Sequence, residues 1–269
     1  MLMRKVTLKN KEGSWETPLE KEEEEEFRQL LRDLKELREI RFSRCVKPLE
    51  GQFKRPLLLV FGDGSREACC TLVYLRWERE DGSAQCVLVT GKTQVAPKVK
   101  ITIPRMELVA AVNSVRLARK VREALKFPLS GTRYFTDSSA VLGMLRTESG
   151  KFLEFVGARV SEVKVNSNVE EEWRWLEGNC NPADLGTRSK ATPQDMVFGS
   201  EYQVGMPWMA KPESTWPCKK SFSPAPAEEF RKDMREGACC VVGGEEDPES
   251  DFPEVRKGGL DRSSVCTGT

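Results

Sequence analysis

The 269-residue sequence predicts an α/β fold in which a mixed β-sheet is flanked by helices. Three observations lead there. Three strand-like runs follow one another with only tight turns between them, a long helical stripe comes next, and strands and shorter helices then alternate. The resulting order, β-β-β-α-β-α-α-β-α, is that of a sheet covered by helices.

Ahead of the sheet, a Glu-rich start at Glu20 runs into Phe27, Leu30, Leu31, Leu34, Leu37 and Ile40, spaced three or four apart. This spacing predicts an amphipathic helix between Glu20 and Arg44, with acids at the N-terminal end where the helix dipole favours them. Its apolar stripe is expected to pack on the main domain, a partner-binding helix being the other reading. Pro48 and Gly51 close the segment.

The first strand, Pro56 to Phe61, is continuously apolar and runs into Gly62-Asp63-Gly64-Ser65, an acid in a turn. Ala68 to Trp77 and Gln85 to Thr90 are the next two strands, separated by the turn residues Asp81-Gly82-Ser83. A basic loop follows, and Pro104 opens a helix whose Leu108, Ala111, Val112, Val115, Ala118, Val121 and Leu125 share one face. Pro128 and Gly131 end it. Gly131 to Thr136 is a second apolar strand that ends on Asp137. Then come a short helix through Val141, Leu142 and Leu145, a helix from Phe152 to Val163, and a short strand from Glu171 to Glu177. Asn181-Pro182-Ala183-Asp184 opens a last helix, with Asn as cap and Pro in the first turn.

This pattern divides the chain into an N-terminal connector with its amphipathic helix (1–50), the α/β domain (51–190), a second connector (191–220) and a tail expected to be poorly ordered (221–269). The tail reading rests on frequent proline, Gly243-Gly244 and the acidic run Glu245 to Asp251. Trp208 and Trp216 are expected to dock the second connector on the domain.

A hydrophobic fraction of 39% supports a core, and a net charge of +1 does not by itself point to nucleic acid. The distribution says more: between Thr90 and Arg133 ten Lys or Arg face only Glu107 and Glu123, a stripe suited to phosphate contact. Nine cysteines without a C-x-x-C pair indicate neither a disulfide scaffold nor a zinc ribbon. No export signal is visible and no stretch approaches the roughly 18 apolar residues of a membrane span, so an intracellular, cytoplasmic location without a membrane partner is expected. The chain has no histidine at all, which excludes Ser-His-Asp, Cys-His and H-E-x-x-H chemistry. Catalysis must then rest on carboxylates, Lys, Cys or Tyr.

Four acids stand at comparable places: Asp63 and Asp137 at the ends of apolar strands, Glu107 and Asp184 in the first turns of helices. If the two strands are neighbours, Asp63 and Asp137 leave the same sheet edge. Carboxylates brought this close repel unless a cation neutralises them, and oxygen-only donors favour Mg²⁺ or Mn²⁺. Two such ions roughly 3.5–4 Å apart suit in-line attack on phosphorus. Taken singly, Asp63 also reads as an Asp-Gly turn, and Glu107 or Asp184 as an ordinary first-turn acid.

Asp63-Gly64-Ser65, Val73-Tyr74-Leu75-Arg76, Lys92-Thr93-Gln94-Val95-Ala96-Pro97, Ile103-Pro104-Arg105-Met106-Glu107-Leu108, Phe135-Thr136-Asp137-Ser138 and Asn181-Pro182-Ala183-Asp184-Leu185 resemble, in order and spacing, the ribonuclease H region of BEL/Pao retrotransposon polyproteins. The resemblance runs over about residues 15 to 217 and takes in Trp15 with Pro18 and the tail Met206-Pro207-Trp208 to Trp216-Pro217. It implies a ribonuclease H-like fold, metal-dependent cleavage of RNA in RNA–DNA hybrids with two Mg²⁺ or Mn²⁺ ions, and catalytic, metal-holding carboxylates at Asp63, Glu107, Asp137 and Asp184. Reverse transcriptase and integrase parts of a parent polyprotein are the implied partners. Lys92, Lys98, Lys100 and Arg105 are the expected contacts to the hybrid, with Arg146 and Lys151 behind them.

One position departs from the resembled pattern, which has Trp-Arg-His where this chain has Trp173-Arg174-Trp175. Trp175 cannot move a proton, so an inert or domesticated copy that at most binds nucleic acid is the alternative reading. The region is also grouped as a Pao retrotransposon peptidase. Asp63-Gly64-Ser65 reverses the Asp-Ser-Gly order of an aspartic peptidase, and Asp137-Ser138-Ser139 lacks its glycine, so peptidase chemistry is the weaker reading.

Overall fold

The computed structural model describes residues 18–188, 191–219 and 224–231. All of them fall in the first of two units, Met1–Ala238; the second is Cys239–Thr269. Trp15 and nearly all of the expected tail lie outside the described residues.

Strands β1 (Leu57–Gly64), β2 (Ala68–Glu78) and β3 (Ala84–Val95) form the expected antiparallel meander. The turns follow from their residues. The Ser65 hydroxyl accepts the backbone N–H groups of Glu67 and Ala68, and the Asp81 carboxylate accepts that of Ser83 while Gly82 takes a left-handed φ of 83°. Helix α2 (Ile103–Ala124) carries proline in its first turn and crosses back so that β4 (Gly131–Thr136) lies parallel to β1. Helices α3 (Ser139–Arg146), α4 (Glu154–Asn166) and α5 (Val169–Glu172) then lead to β5 (Trp173–Trp175), parallel to β4. The sheet order is β3-β2-β1-β4-β5, a mixed sheet of the ribonuclease H-like kind. β1 is central, and it is buried along its whole length, as its unbroken apolar run requires.

The two faces of the sheet bury different partners. Leu58, Val60, Val73 and Leu75 pack with the stripe of α2 and with Val141, Leu145, Val156 and Val160 of α3 and α4. On the other face Leu59, Phe61, Leu72, Tyr74 and Phe135 meet Leu176, Ala183, Trp208, Met209 and Trp216. The segment read as a second connector is therefore the cover of one sheet face. Phe61 stacks on Phe135 at 4.7 Å with Trp208 edge-on at 6.1 Å, and the buried Arg76 guanidinium donates to the carbonyls of Met209 and Lys211.

Besides β5, which is shorter than the sequence reading because Glu171 and Glu172 belong to α5, three elements differ from that reading. Asn181 caps a 3-10 turn, Pro182–Gly186, in place of a last α-helix. The turn lies flush on β2, where a Cβ on Gly186 would stand 2.2 Å from Cys70 Sγ, so only glycine fits. β3 continues to Val95, which puts Lys92 on a strand and not in the basic loop. Helix α1 (Lys21–Glu36), continued by a 3-10 turn Leu37–Glu39, buries none of its residues. Its stripe does not pack on the domain. At its C-terminal end the Gln194 amide donates to Glu36.

Of residues 221–269, those numbered 224–231 are described, and they return to the domain. Phe230 pairs with Phe152 both through the backbone and ring to ring at 4.8 Å, and Glu229 is buried.

Candidate functional site

The pairing of β1 with β4 sets Phe61 opposite Phe135, so Asp63 and Asp137, each two residues on, leave adjacent parallel strands at one sheet edge. Glu107 reaches the same edge because α2 touches β1 backbone to backbone: a Cβ on Gly64 would lie 2.6 Å from the Glu107 nitrogen. Asp184 arrives on the 3-10 turn, whose Asn181 amide donates to the Gly62 carbonyl at 3.1 Å. All four expected carboxylates are thus brought to one place by different elements.

Their electrostatics record the crowding. Burial pushes the Glu107 carboxyl up to about 7, and the charges of Asp137 and Asp63 push the same way, against a hydrogen bond from the Ser138 hydroxyl. Asp137 is pushed up to about 6, again first by burial and then by Asp63, with Asp184 adding and Asn181 opposing. Asp63 is raised by burial and by Asp184, while the Thr187 hydroxyl, which donates to it, and Arg188 pull it down. Asp184 is ion-paired with Arg188.

As the side chains stand, no three His, Cys, Asp or Glu among the described residues are close enough to grip one cation. Each acid is instead turned to a partner of its own: Glu107 to Ser138, Asp63 to Thr187, Asp184 to Arg188. The exception is Asp137, whose Oδ1 is buried without a hydrogen-bond partner. A hard divalent cation fits this donor set. The donors are oxygens only, their mutual repulsion is what a positive ion relieves, and Asp137 Oδ1 has a lone pair to give.

Trp175 stands at the rim. Its indole N–H donates to the main-chain carbonyl of Asp137 at 2.8 Å, and the Lys219 ammonium lies 5.4 Å from the ring centroid. Trp175 and Lys219 also exchange backbone hydrogen bonds at 2.9 Å. The residue therefore fixes the backbone that carries Asp137.

The basic residues divide into two sets. Lys92 on β3 and Lys98 and Lys100 between β3 and α2 are exposed. Arg105 is ion-paired at 3.0 Å with Glu229 and lies 5.1 Å over the Phe155 ring, on the α4 side of α2. Arg146 pairs with Glu170 at 2.9 Å and Lys151 with Glu148 at 3.4 Å. Thr187 and Arg188 had not been singled out from the sequence. Their signal is the spacing of three and four from Asp184 on a helical turn, which brings a hydroxyl and a cation back over that acid.

A family described as Pao retrotransposon-like RNaseH-like domain matches residues 1–138, just over half of the chain. The match includes Asp63, Glu107 and Asp137 and stops short of Asp184. Comparison with curated proteins finds no match. Among solved structures, similarity is found to an N-terminal RNase H domain from Mycobacterium tuberculosis, solved as a fusion with maltose binding protein, at 11% identity, TM-score 0.33, covering 52% of this chain and 94% of that one. RNase H1 from the halophilic archaeon Halobacterium salinarum is similar at 13% identity and TM-score 0.30, covering 48% of this chain and 91% of that one. The NurA nuclease from Sulfolobus solfataricus follows at 9% and 0.27, covering 59% and 60%. Likeness at these TM-scores adds nothing to the family match.

Proposed function

The chain belongs to the Pao retrotransposon-like RNaseH-like domain family, and from that premise we propose that it is a metal-dependent endonuclease cutting the RNA strand of RNA–DNA hybrids. The observation that carries the proposal is the convergence of Asp63, Glu107 and Asp137 on one sheet edge, with Asp184 brought beside them on the 3-10 turn, in a chain without histidine. Asp63, Glu107, Asp137 and Asp184 would hold two Mg²⁺ or Mn²⁺ ions. When bound, such a pair supplies an activated water and neutralises charge on the leaving oxygen.

The chain's own residues do the rest. Asp63 and Asp137 are fixed by adjacent strands and Glu107 by a helix pressed on β1, so the acids meet a substrate phosphate in preset positions. Ser138 and Thr187 hold Glu107 and Asp63 by hydroxyl hydrogen bonds. Lys92, Lys98 and Lys100 would take phosphates of the hybrid on the approach. Reverse transcriptase and integrase parts of a parent polyprotein, and an intracellular setting, belong to the same proposal. Among the described residues no helix is long and apolar enough to cross a membrane.

One observation favours the alternative of an inert copy that binds nucleic acid without cutting it. Trp175 occupies the place of the histidine in the resembled pattern and is bonded to Asp137. A labelled RNA–DNA hybrid incubated with the chain and Mg²⁺ or Mn²⁺ separates the two. Cleavage confined to the RNA strand and lost in Asp63→Asn supports the nuclease. Binding without cleavage at either metal supports the inert copy.

A further inference from the structure

We propose that Lys219 is a phosphate contact for a nucleic-acid strand laid across the carboxylate edge, on the opposite flank from Lys92. The inference rests on the reading that this edge takes nucleic acid. It starts from the register of the sheet. Lys92 lies opposite Thr71, Thr71 opposite Gly62, and Trp175 opposite Thr136. Gly62 and Thr136 are one residue on from the paired Phe61 and Phe135, and an isolated antiparallel bridge sets Lys219 opposite Trp175. Lys92, Thr71, Gly62, Thr136, Trp175 and Lys219 therefore form one row across the sheet, and residues in such a row share a face.

The row passes directly below the acids, because Asp63 follows Gly62 and Asp137 follows Thr136 in the chain. Thr71, Gly62 and Thr136 are buried, whereas the two lysines at its ends are exposed. Five strand spacings separate those ends, on the order of 24 Å. A strand crossing the acids brings phosphates on either side of the one to be cut, and the carboxylates repel them. Cations on both flanks offset that repulsion.

Lys219 is fixed in place by its surroundings. Trp216 is buried on the sheet face that holds Phe61 and Phe135, and Cys218 is partly buried with it, so the chain reaches β5 in a set register. Backbone hydrogen bonds of 2.9 Å in both directions tie Lys219 to Trp175, and the ammonium lies 5.4 Å from the indole centroid. The same indole donates to the Asp137 carbonyl, which links the lysine to the strand end that carries the acid. Arg133, Arg146 and Arg188 are ion-paired with Glu213, Glu170 and Asp184, but among the described residues no carboxylate takes up Lys219. Its charge is left for a ligand.

Fluorescence anisotropy of a labelled RNA–DNA hybrid with the full chain tests this, without divalent ions so that cutting plays no part. Lys219→Ala should weaken binding at least about threefold at about 50 mM salt and lower the slope of log K against log salt by about 0.9, the share of one phosphate. Lys219→Arg should keep the parent's slope. The side chain is exposed and the bridge is made by backbone, so the melting temperature of Lys219→Ala should match the parent's. Lys211 is the control, since its carbonyl accepts from Arg76, which pairs with Leu57 at the far end of β1 from Asp63. Lys211→Ala should leave the slope unchanged. If the parent binds the hybrid and Lys219→Ala keeps its slope, or Lys211→Ala loses as much, the assignment of Lys219 alone is overturned. A parent that does not bind the hybrid overturns the nucleic-acid reading of the edge and this inference with it.

Discussion

The Ser138 hydroxyl joins two helices: it accepts the Val141 N–H as the N-cap of α3 and donates its own proton to the Glu107 carboxylate on α2. Ser138→Ala removes both. Loss of the cap should cost about 1 kcal/mol of stability, read as a lower melting temperature. Loss of the donor should drive the Glu107 carboxyl further up, so the alkaline shift of the pH–rate profile for hybrid cleavage is the second readout. Ser138→Thr keeps a hydroxyl and should recover most of both.

Stability of the metal-free chain should fall as pH rises through neutrality. Glu107 goes from an ordinary 4.5 to about 7 on folding, and Asp137 from 3.8 to about 6. Between those values the folded chain holds protons that the unfolded chain has released, so each step up in pH favours unfolding. The contribution is complete below about pH 4 and is lost as pH passes 6 to 7. Thermal melts at pH 5 and pH 8 should therefore differ more in the parent than in Glu107→Gln. Adding Mg²⁺ at pH 8 should raise the parent's melting temperature and leave that of the variant nearly where it was.

Asp63→Asn, Glu107→Gln and Asp137→Asn should each lower hybrid cleavage by about 10²–10³-fold, the scale of losing one charge-stabilising group. None should unfold the domain, because each removes a repelling charge from a crowded edge. A variant with wild-type melting and wild-type cleavage would remove that residue from the site.

Trp175→His tests whether the missing histidine limits turnover. The structure gives the tryptophan a holding role through its bond to the Asp137 carbonyl. Histidine can keep a ring N–H donor while giving up apolar area, so stability should drop by about 1–2 kcal/mol. General acid–base help is worth about 10²–10⁴-fold, and part of that gain is expected in kcat with little change in KM. A folded variant with no gain would place Trp175 among structural residues only.

Much of this was written in local sequence. The apolar run before Asp63 and the Gly82 turn needed only neighbouring residues, which is why the meander and the strand-end acids were legible. Glu107 was legible because proline marked the helix start. What escaped was set by distant packing. The Thr187 hydroxyl acts on an acid 124 positions away, and no local pattern foretells that partner. The last helix is a 3-10 turn whose Gly186 lies against Cys70 across the fold, a contact that no local pattern foretells. Trp208 and Trp216 sit in a proline-rich stretch without periodicity, yet their burial closes a sheet face, and Trp208→Ala should cost about 3–5 kcal/mol. In α1 the periodicity was right and its destination was not, because periodicity names an apolar face without naming what covers it.

The basic residues, read from sequence as one group, should separate by experiment. Lys92, Lys98 and Lys100 are exposed, so changing all three to Ala should weaken hybrid binding and leave the melting temperature in place. If each takes one phosphate, the slope of log K against log salt should fall by about 2.7, at roughly 0.9 per phosphate for a duplex. Arg105 is different, because its partner Glu229 is 2% exposed and its guanidinium lies over Phe155. Arg105→Ala strands a buried carboxylate, and breaking such a pair from one side costs about 3 kcal/mol. The expected signature is a lower melting temperature with an unchanged salt slope. The double change Arg105→Ala with Glu229→Ala removes the stranded charge and should recover part of the loss. A salt slope that falls by about one unit in Arg105→Ala, with stability intact, would instead return Arg105 to the nucleic-acid contacts.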